Sequence, residues 1–302
     1  MTATSDVFAQ TPSNKIIAKQ THIGVLTVKG NDAEKFLQGQ LTCDLTKLSD
    51  SNGLYGAVCN VKGRIISNFF LLGKQQDILM VMPLDVLEKT LNHLKKYAVF
   101  FKVELTNSST DYAVSTHIQA SDESATNSKL AETFPVTQEE DQLTLTLASY
   151  PMLVEWCIQS ALEAEIIEQD AHLAEPMQLL MARPLITEAQ SEETLPQWLN
   201  MQSNGGISFT KGCYTGQEII ARMQYRGKSK KQLALISWQG KIGDSLDILD
   251  ANEKVIGHIF NHAAIEQKHI AQVILNITTD EVDTAFYMGQ PVDLVQLPYG
   301  LD

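Results

Sequence analysis

The sequence predicts an α+β body followed by a small antiparallel β-barrel. Two patterns carry that reading. Up to Lys231 the apolar positions switch between helix-like steps of three and four and strand-like runs. After Lys231 the chain breaks into short strand-like runs punctuated by glycines at 240, 243, 257 and 289, the texture of a small barrel. The length of 302 residues points the same way, because it exceeds the usual span of a single hydrophobic core. Residues 1–228 are therefore assigned to the body and residues 229–302 to the barrel.

The elements follow in order. Asn31 to Glu34 can cap a short helix carrying Phe36 and Leu37. The turn at Lys62-Gly63 joins Leu54–Val58 to Ile65–Leu72 as a hairpin. Leu84, Leu87, Leu91 and Leu94 fall on one helical face and belong to the core. Phe100 to Leu105 reads as a strand, and the polar, acidic stretch 119–141 as a loop. Trp156, Ile158, Leu162 and Ile166 suggest another helix. The barrel strands are expected at Leu233–Trp238, Asp247–Leu249, Lys254–Asn261, Ala271–Ile277 and Val292–Val295.

Composition narrows the function. With 36 acidic and 23 basic residues the chain carries a net charge of −13, which disfavours broad nucleic-acid binding. The first fifteen residues are polar, and no long apolar run follows, so neither export nor a membrane span is expected and the cytoplasm is the expected location. Cys43, Cys59, Cys157 and Cys213 are widely spaced, unlike a zinc site or a redox dithiol, and suit a reducing compartment. His258 and His262 are four apart in a strand-like run, about 13 Å along the chain, so no stably bound metal is expected there.

The run Lys211-Gly212-Cys213-Tyr214-Thr215-Gly216-Gln217-Glu218 carries the most chemistry. A thiolate is the nucleophilic form of cysteine, and a nearby ammonium group or helix N-terminus favours it. Thr215 and Glu218 have the spacing of a capping box, placing a helix start at about Gly216, with Ile219, Ile220 and Met223 on its apolar face and Arg222 and Arg226 on a polar one. Cys213 is the candidate reactive thiol and Lys211 the candidate cation that polarises it. Phe209 to Lys231 holds six basic residues, Lys211, Arg222, Arg226, Lys228, Lys230 and Lys231, against Glu218, a field suited to an anionic ligand.

Phe209 to Arg222 resembles the signature of the YgfZ family of folate-binding proteins, relatives of the glycine-cleavage T-protein. The resemblance extends to Leu195-Pro196-Gln197, Asn200 and Gly205 to Phe209, to Phe36-Leu37-Gln38-Gly39-Gln40-Leu41-Thr42 with Asp44, and to Lys62-Gly63-Arg64 and Lys96-Tyr97. It implies two interleaved α/β subdomains and a C-terminal antiparallel barrel packed as a ring around a folate-binding centre. It also implies tetrahydrofolate or a derivative as cofactor, with Gln40, Thr42, Asp44, Tyr214, Gln217, Glu218, Arg222 and Arg226 as the residues near it. Two departures stand out: Asn60 where many relatives have Asp, and no arginine at Gln178, so the arginine that would hold a folate carboxylate is either missing or supplied by Arg183.

The T-protein uses an aspartate on the strand after the glycine turn. Here Arg64-Ile65-Ile66-Ser67-Asn68 has no carboxylate, and Asp44 is the one alternative candidate. The resemblance thus implies an accessory factor in iron–sulfur cluster assembly or repair, and through it in tRNA modification. Its expected partners are folate and cluster assembly proteins or cluster-dependent enzymes, with tRNA reached indirectly. The alternatives are a folate-dependent aminomethyl transferase and a tRNA-binding module.

Overall fold

Strand pairing dominates the computed structural model, which describes residues 15–74, 77–121, 132–150, 152–227 and 229–301. In chain order the body holds β1 (Ile16–Lys19), β2 (Ile23–Lys29), α1 (Ala33–Gln38), β3 (Asn52–Cys59), β4 (Ile65–Lys74), β5 (Asp77–Pro83), α2 (Leu84–Ala98) and β6 (Glu104–Asn107). There follow β7 (Tyr112–Ala120), β8 (Thr133–Glu139), β9 (Gln142–Ala148), β10 (Met152–Ser160), α3 (Ala174–Leu179) and α4 (Gln217–Tyr225). All ten body strands form one sheet in the order β1-β7-β10-β9-β8-β3-β4-β5-β2-β6. Its halves are interleaved: β1 and β7 to β10 make one, β2 to β6 the other. They join where Asn52 and Gly53 of β3 pair with Pro135 and Phe134 of β8.

The rest of the chain, β11 (Gln232–Gln239), β12 (Asp247–Leu249), β13 (Val255–Ile265), β14 (Lys268–Leu275), β15 (Ala285–Tyr287) and β16 (Gln290–Val295), closes into a six-stranded barrel. The two-residue period of a strand ties barrel to body. Along β11, Ala234, Ile236 and Trp238 fill the barrel interior, while Leu233 and Leu235 join the body's core with Tyr55, Phe70 and Trp156. A second body core packs α1 and α2 on the other sheet face through Phe36, Leu37, Leu87, Leu91 and Leu94. Each such side chain contributes roughly 1.5–3 kcal/mol on burial.

The hairpin, the leucine-faced helix and the barrel form as expected, with β15 an added short strand, except that Leu84, at the first residue of α2, is 42% exposed while Leu87, Leu91 and Leu94 are buried. Four details differ. The stretch containing Trp156 is strand β10, because Met152, Val154, Trp156 and Ile158 also alternate and nine residues pair with β7. Leu162 lies beyond it, 98% exposed. The Phe100 strand begins later, at Glu104, because Phe101 N–H closes a turn on the Ala98 carbonyl and pairing with β2 starts only at Glu104. The stretch 119–141 read as a loop contains strand β8 (Thr133–Glu139), where pairing with β9 and β3 overrides its polar composition, while its residues 122–131 lie outside the described residues, as do residues 1–14 and Lys228. At α1, Asp32 makes no side-chain cap, its carboxylate accepting instead from the Lys102 N–H at 2.8 Å.

Candidate functional site

Two segments about 170 residues apart in sequence meet in one seam. Thr42 Oγ1 donates to the Gly206 carbonyl at 2.7 Å and accepts from the Ala57 N–H at 2.9 Å, while Ser208 N–H reaches the Thr42 carbonyl at 2.9 Å. Lys211 locks the seam. Its Nζ donates to the carbonyls of Gln38, Leu41 and Cys43 at 2.8, 2.7 and 2.8 Å. An ammonium has three protons, and all three are used, so none is left for the Cys213 thiolate. Burial pushes the Lys211 pKa down to about 8, with Cys43 and Asp44 pulling it back up. The expected direct polarisation of Cys213 by Lys211 therefore has no hydrogen bond to act through.

Cys213 itself is exposed, and it alone among the four cysteines is so. It lies on a loop between buried Lys211 and buried Tyr214, whose ring lies 5.1 Å from the Lys211 ammonium. Tyr214 is buried, its hydroxyl has no hydrogen-bond partner among the described residues, and burial pushes its pKa up. Gly216 then sets the start of α4. It sits at φ +85, and a Cβ there would fall 2.6 Å from the Asn60 carbonyl oxygen. The β3–β4 turn thus packs on the helix start, which is Gln217 with Gly216 as cap. The capping box does not form, because Thr215 Oγ1 turns to Gln40 Oε1 at 3.3 Å and no side chain caps the helix.

The other expected folate contacts fall in two groups. Gln40 and Thr42 are buried in the seam, where Thr42 has both hydroxyl functions occupied. Asp44 caps the short turn Leu45–Lys47, accepting from Thr46 N–H, Thr46 Oγ1 and Gln38 Nε2 at 3.2, 2.9 and 2.8 Å. Burial opposes its charge, yet these hydrogen bonds and Lys211 hold the carboxyl below its ordinary range. Through Oδ1 the carboxylate serves as a structural cap. Glu218, Arg222 and Arg226 stand exposed along α4, and Gln217 is half-buried at its first turn.

Asn60 and Asn68, which stand where relatives place an aspartate, both have structural roles. Asn60 Oδ1 accepts from the N–H groups of Lys62 and Arg64, and its Nδ2 donates to Glu192 Oε1 at 3.0 Å. An aspartate would keep the turn but face Glu192 with like charge. Asn68, on the strand that carries the T-protein aspartate, is fully buried. Its Nδ2 donates to Tyr55 Oη and the Pro184 carbonyl, and its Oδ1 accepts from Ile186 N–H. The side chain there is an amide held in the fold, not a carboxylate that could take a proton.

A cavity of about 1090 Å³ opens where β1, the start of α2, β10 and α3 meet β13 and β14 of the barrel. Arg183 and Gln20 line it. Arg183 is buried, donates to the carbonyls of Asn204 and Leu147, lies 4.8 Å over the Phe134 ring, and has no ion pair among the described residues. Burial pushes its pKa down to about 10, still far above neutrality. Gln20 is buried with Oε1 unpartnered among the described residues. Of the residues the sequence nominated, only Arg183 borders this cavity. Gln20 carried no signal, because a lone glutamine at a strand end has no pattern.

Sequence reasoning also missed a cysteine–histidine pair. The register of β10 on β7 sets Cys157 beside Ser115 and brings its sulfur 3.2 Å from His117 Nδ1. Burial raises the thiol pKa and lowers the imidazole to about 4, so both are neutral. His258 bonds Asp247 at 2.7 Å in the barrel, and no cluster of three or more His, Cys, Asp or Glu suited to a metal occurs among the described residues. No helix there is long and apolar enough to cross a membrane.

The sheet, the barrel and their arrangement define a protein of the glycine-cleavage T-protein fold. The aminomethyltransferase T of the glycine cleavage system from Bartonella henselae superposes with a TM-score of 0.68 over 97% of this chain and 88% of its own, at 12% identity. The GCVT N-terminal domain model matches residues 6–118. Within that fold the chain belongs to the YgfZ family. The tRNA-modifying protein YgfZ of Vibrio atlanticus is 30% identical across 93% of this chain and 92% of its own length, and that of Colwellia psychrerythraea is 32% identical across 84% and 81%.

Proposed function

We propose that this protein acts in tRNA modification as a folate-binding accessory factor of iron–sulfur cluster assembly or repair, with Cys213 as its working thiol. The family supports the role, since its curated members carry the name tRNA-modifying protein. One observation carries the chemistry: the motif presents its cysteine to solvent on an anchored loop, while the other three thiols are buried. An exposed single thiol can contact a cluster that its partner also ligates. It cannot hold one alone, because four protein ligands are the norm.

The cavity beside Arg183 fits a reduced folate. Its volume suits a drug-sized ligand. Arg183 offers a cation without a carboxylate partner among the described residues to an anionic end, and Gln20 places an amide on the same wall. The bound folate would supply one-carbon or redox chemistry, and the protein would orient it and exclude water. The aminomethyl-transfer reading loses support at Asn68, a buried amide committed to the fold, and at Asp44, whose Oδ1 caps a turn.

Titration with tetrahydrofolate should saturate below millimolar ligand and weaken about tenfold or more in Gln20→Leu. In cells lacking the protein, Cys213→Ser should keep folate binding yet fail to restore the activity of cluster-dependent enzymes. Full rescue by the serine variant sinks the thiol role, and absence of saturable binding sinks the folate role.

A further inference from the structure

The wall of the Arg183 cavity contains a strained stretch of backbone. Met181, Arg183, Pro184 and Leu185 all line that cavity, and Ala182 among them is fully buried at φ +50. The left-handed conformation is disfavoured for a residue with a Cβ and persists only where the surroundings over-determine it. Here they do. Ala182 N–H closes a turn on the Leu179 carbonyl at 3.1 Å, and the Ala182 carbonyl accepts from the Tyr299 hydroxyl at 2.8 Å. Two residues on, Pro184 fixes its own φ and biases Arg183 towards extended backbone. The Pro184 carbonyl accepts from Tyr55 Oη at 3.2 Å and from Asn68 Nδ2 at 2.7 Å.

The grip comes from three segments far away in the chain: Tyr55 on β3, Asn68 on β4, and Tyr299 beyond β16, all buried. The orientation of Asn68 is fixed from both sides. Its nitrogen faces a carbonyl, which can only accept, and its oxygen faces the Ile186 N–H at 2.8 Å, which can only donate. The residues on either side of Arg183 are thus held at their carbonyls, one by the C-terminal segment and the other by the sheet. Arg183 itself uses two of the five N–H groups of a guanidinium, on the Asn204 and Leu147 carbonyls. A buried charge without an opposite charge is costly, and an anion beside it offsets that cost. Capping two buried carbonyls needs no strain, so the strained Ala182 in the wall of a ligand-sized cavity points to placement of its neighbour.

We propose that Tyr299, Asn68 and Tyr55 are positioning residues of this cavity, holding the wall segment 181–185 so that the Arg183 guanidinium meets a carboxylate of the bound ligand. This rests on the folate reading of the cavity and adds that the C-terminal segment beyond the barrel completes its anion end.

The full chain is titrated with tetrahydrofolate and with a tetrahydropterin that lacks the aminobenzoylglutamate tail and its carboxylates. Tyr299→Phe keeps the aromatic ring and removes the donor. It should weaken tetrahydrofolate about tenfold and leave the tetrahydropterin unchanged. In an Arg183→Gln background the same substitution should add less than about twofold, because it acts through the arginine. Ala182→Gly, which takes a positive φ without strain, should return most of the tetrahydrofolate affinity to Tyr299→Phe. Tyr55→Phe, which removes a donor from the Pro184 carbonyl, is a second variant with the same selective loss expected, and urea midpoints show which variants are folded. Equal weakening of both ligands, a full tenfold loss in the Arg183→Gln background, or unchanged tetrahydrofolate affinity in Tyr299→Phe or Arg183→Gln overturns the proposal and leaves the folate reading standing. Where the tetrahydropterin alone fails to bind, the cycle with Arg183→Gln decides. If tetrahydrofolate does not bind the wild-type chain, the folate reading falls and this inference falls with it.

Discussion

Cys213 lies on an exposed loop whose backbone is fixed by Lys211, whereas Cys157 lies within a sheet with an imidazole nitrogen 3.2 Å from its sulfur. The second has the histidine partner of a catalytic thiol and the first has only access. Environment reverses the expected ranking. Burial raises the Cys157 thiol and lowers His117, so the pair cannot separate charge into thiolate and imidazolium. A partner without solvent or a compensating charge makes a hydrogen-bonded core pair. An exposed thiol held on a rigid turn is available to a partner protein.

The largest expected effect is in alkylation of the native protein. Cys213 should react at least about a hundredfold faster than Cys43, Cys59 and Cys157, because reaction needs an accessible thiolate. Mass spectrometry after timed iodoacetamide exposure counts the labels, and equal labelling of Cys157 would break the comparison.

Lys211→Met comes next. Removing the ammonium leaves three buried carbonyls without their donor, at a cost of roughly 2–4 kcal/mol, read as a lower urea midpoint. If alkylation of Cys213 persists at a similar rate, the lysine holds the loop and does not activate the thiol. Loss of alkylation at unchanged stability would restore direct activation.

Gly216→Ala should cost roughly 1–3 kcal/mol, since the position has a positive φ and a Cβ would meet the Asn60 carbonyl at 2.6 Å. Gly212→Ala is the control, because nothing lies within 4 Å of its Cβ position. Equal stability in the two variants would mean the turn and helix start do not pack as described.

The smallest effect is in pH dependence. His117 is held down to about 4 by burial, with the Lys15 charge adding to it. Below about pH 6.5 the unfolded chain takes up a proton that the folded chain refuses, so stability should fall as pH drops from about 6.5 to about 4 and level off below. His117→Asn should flatten that part of the profile. An unchanged slope would show that His117 is solvated and the Cys157 pair open.

Local pattern made much of this molecule legible. The α+β body, the barrel, the β3–β4 hairpin and the leucine face of α2 follow from period and turn chemistry, which are properties of neighbouring residues. The stretch Trp156–Ile166 misled, because spacings of two and four satisfy a strand and a helix alike, and pairing with β7 and β9 decided between them. The capping box at Thr215 failed for a similar reason. Gln40, distant in sequence, captured the hydroxyl the helix would have used.

The sequence by itself determined the family, the motif around Cys213 and the absence of a carboxylate at Asn68, since each is a matter of residue identity and order. Only the tertiary structure decided which groups are free to act. It tied Lys211, Thr42 and Asp44 Oδ1 to the backbone, left Cys213 in solvent, hid Cys157 against His117, and set Arg183 and Gln20 on the wall of one cavity. The physical reason is that burial and hydrogen-bond partnership are set by segments far apart in the chain. Those conditions, more than residue type, fix whether a polar group holds the fold or meets a ligand.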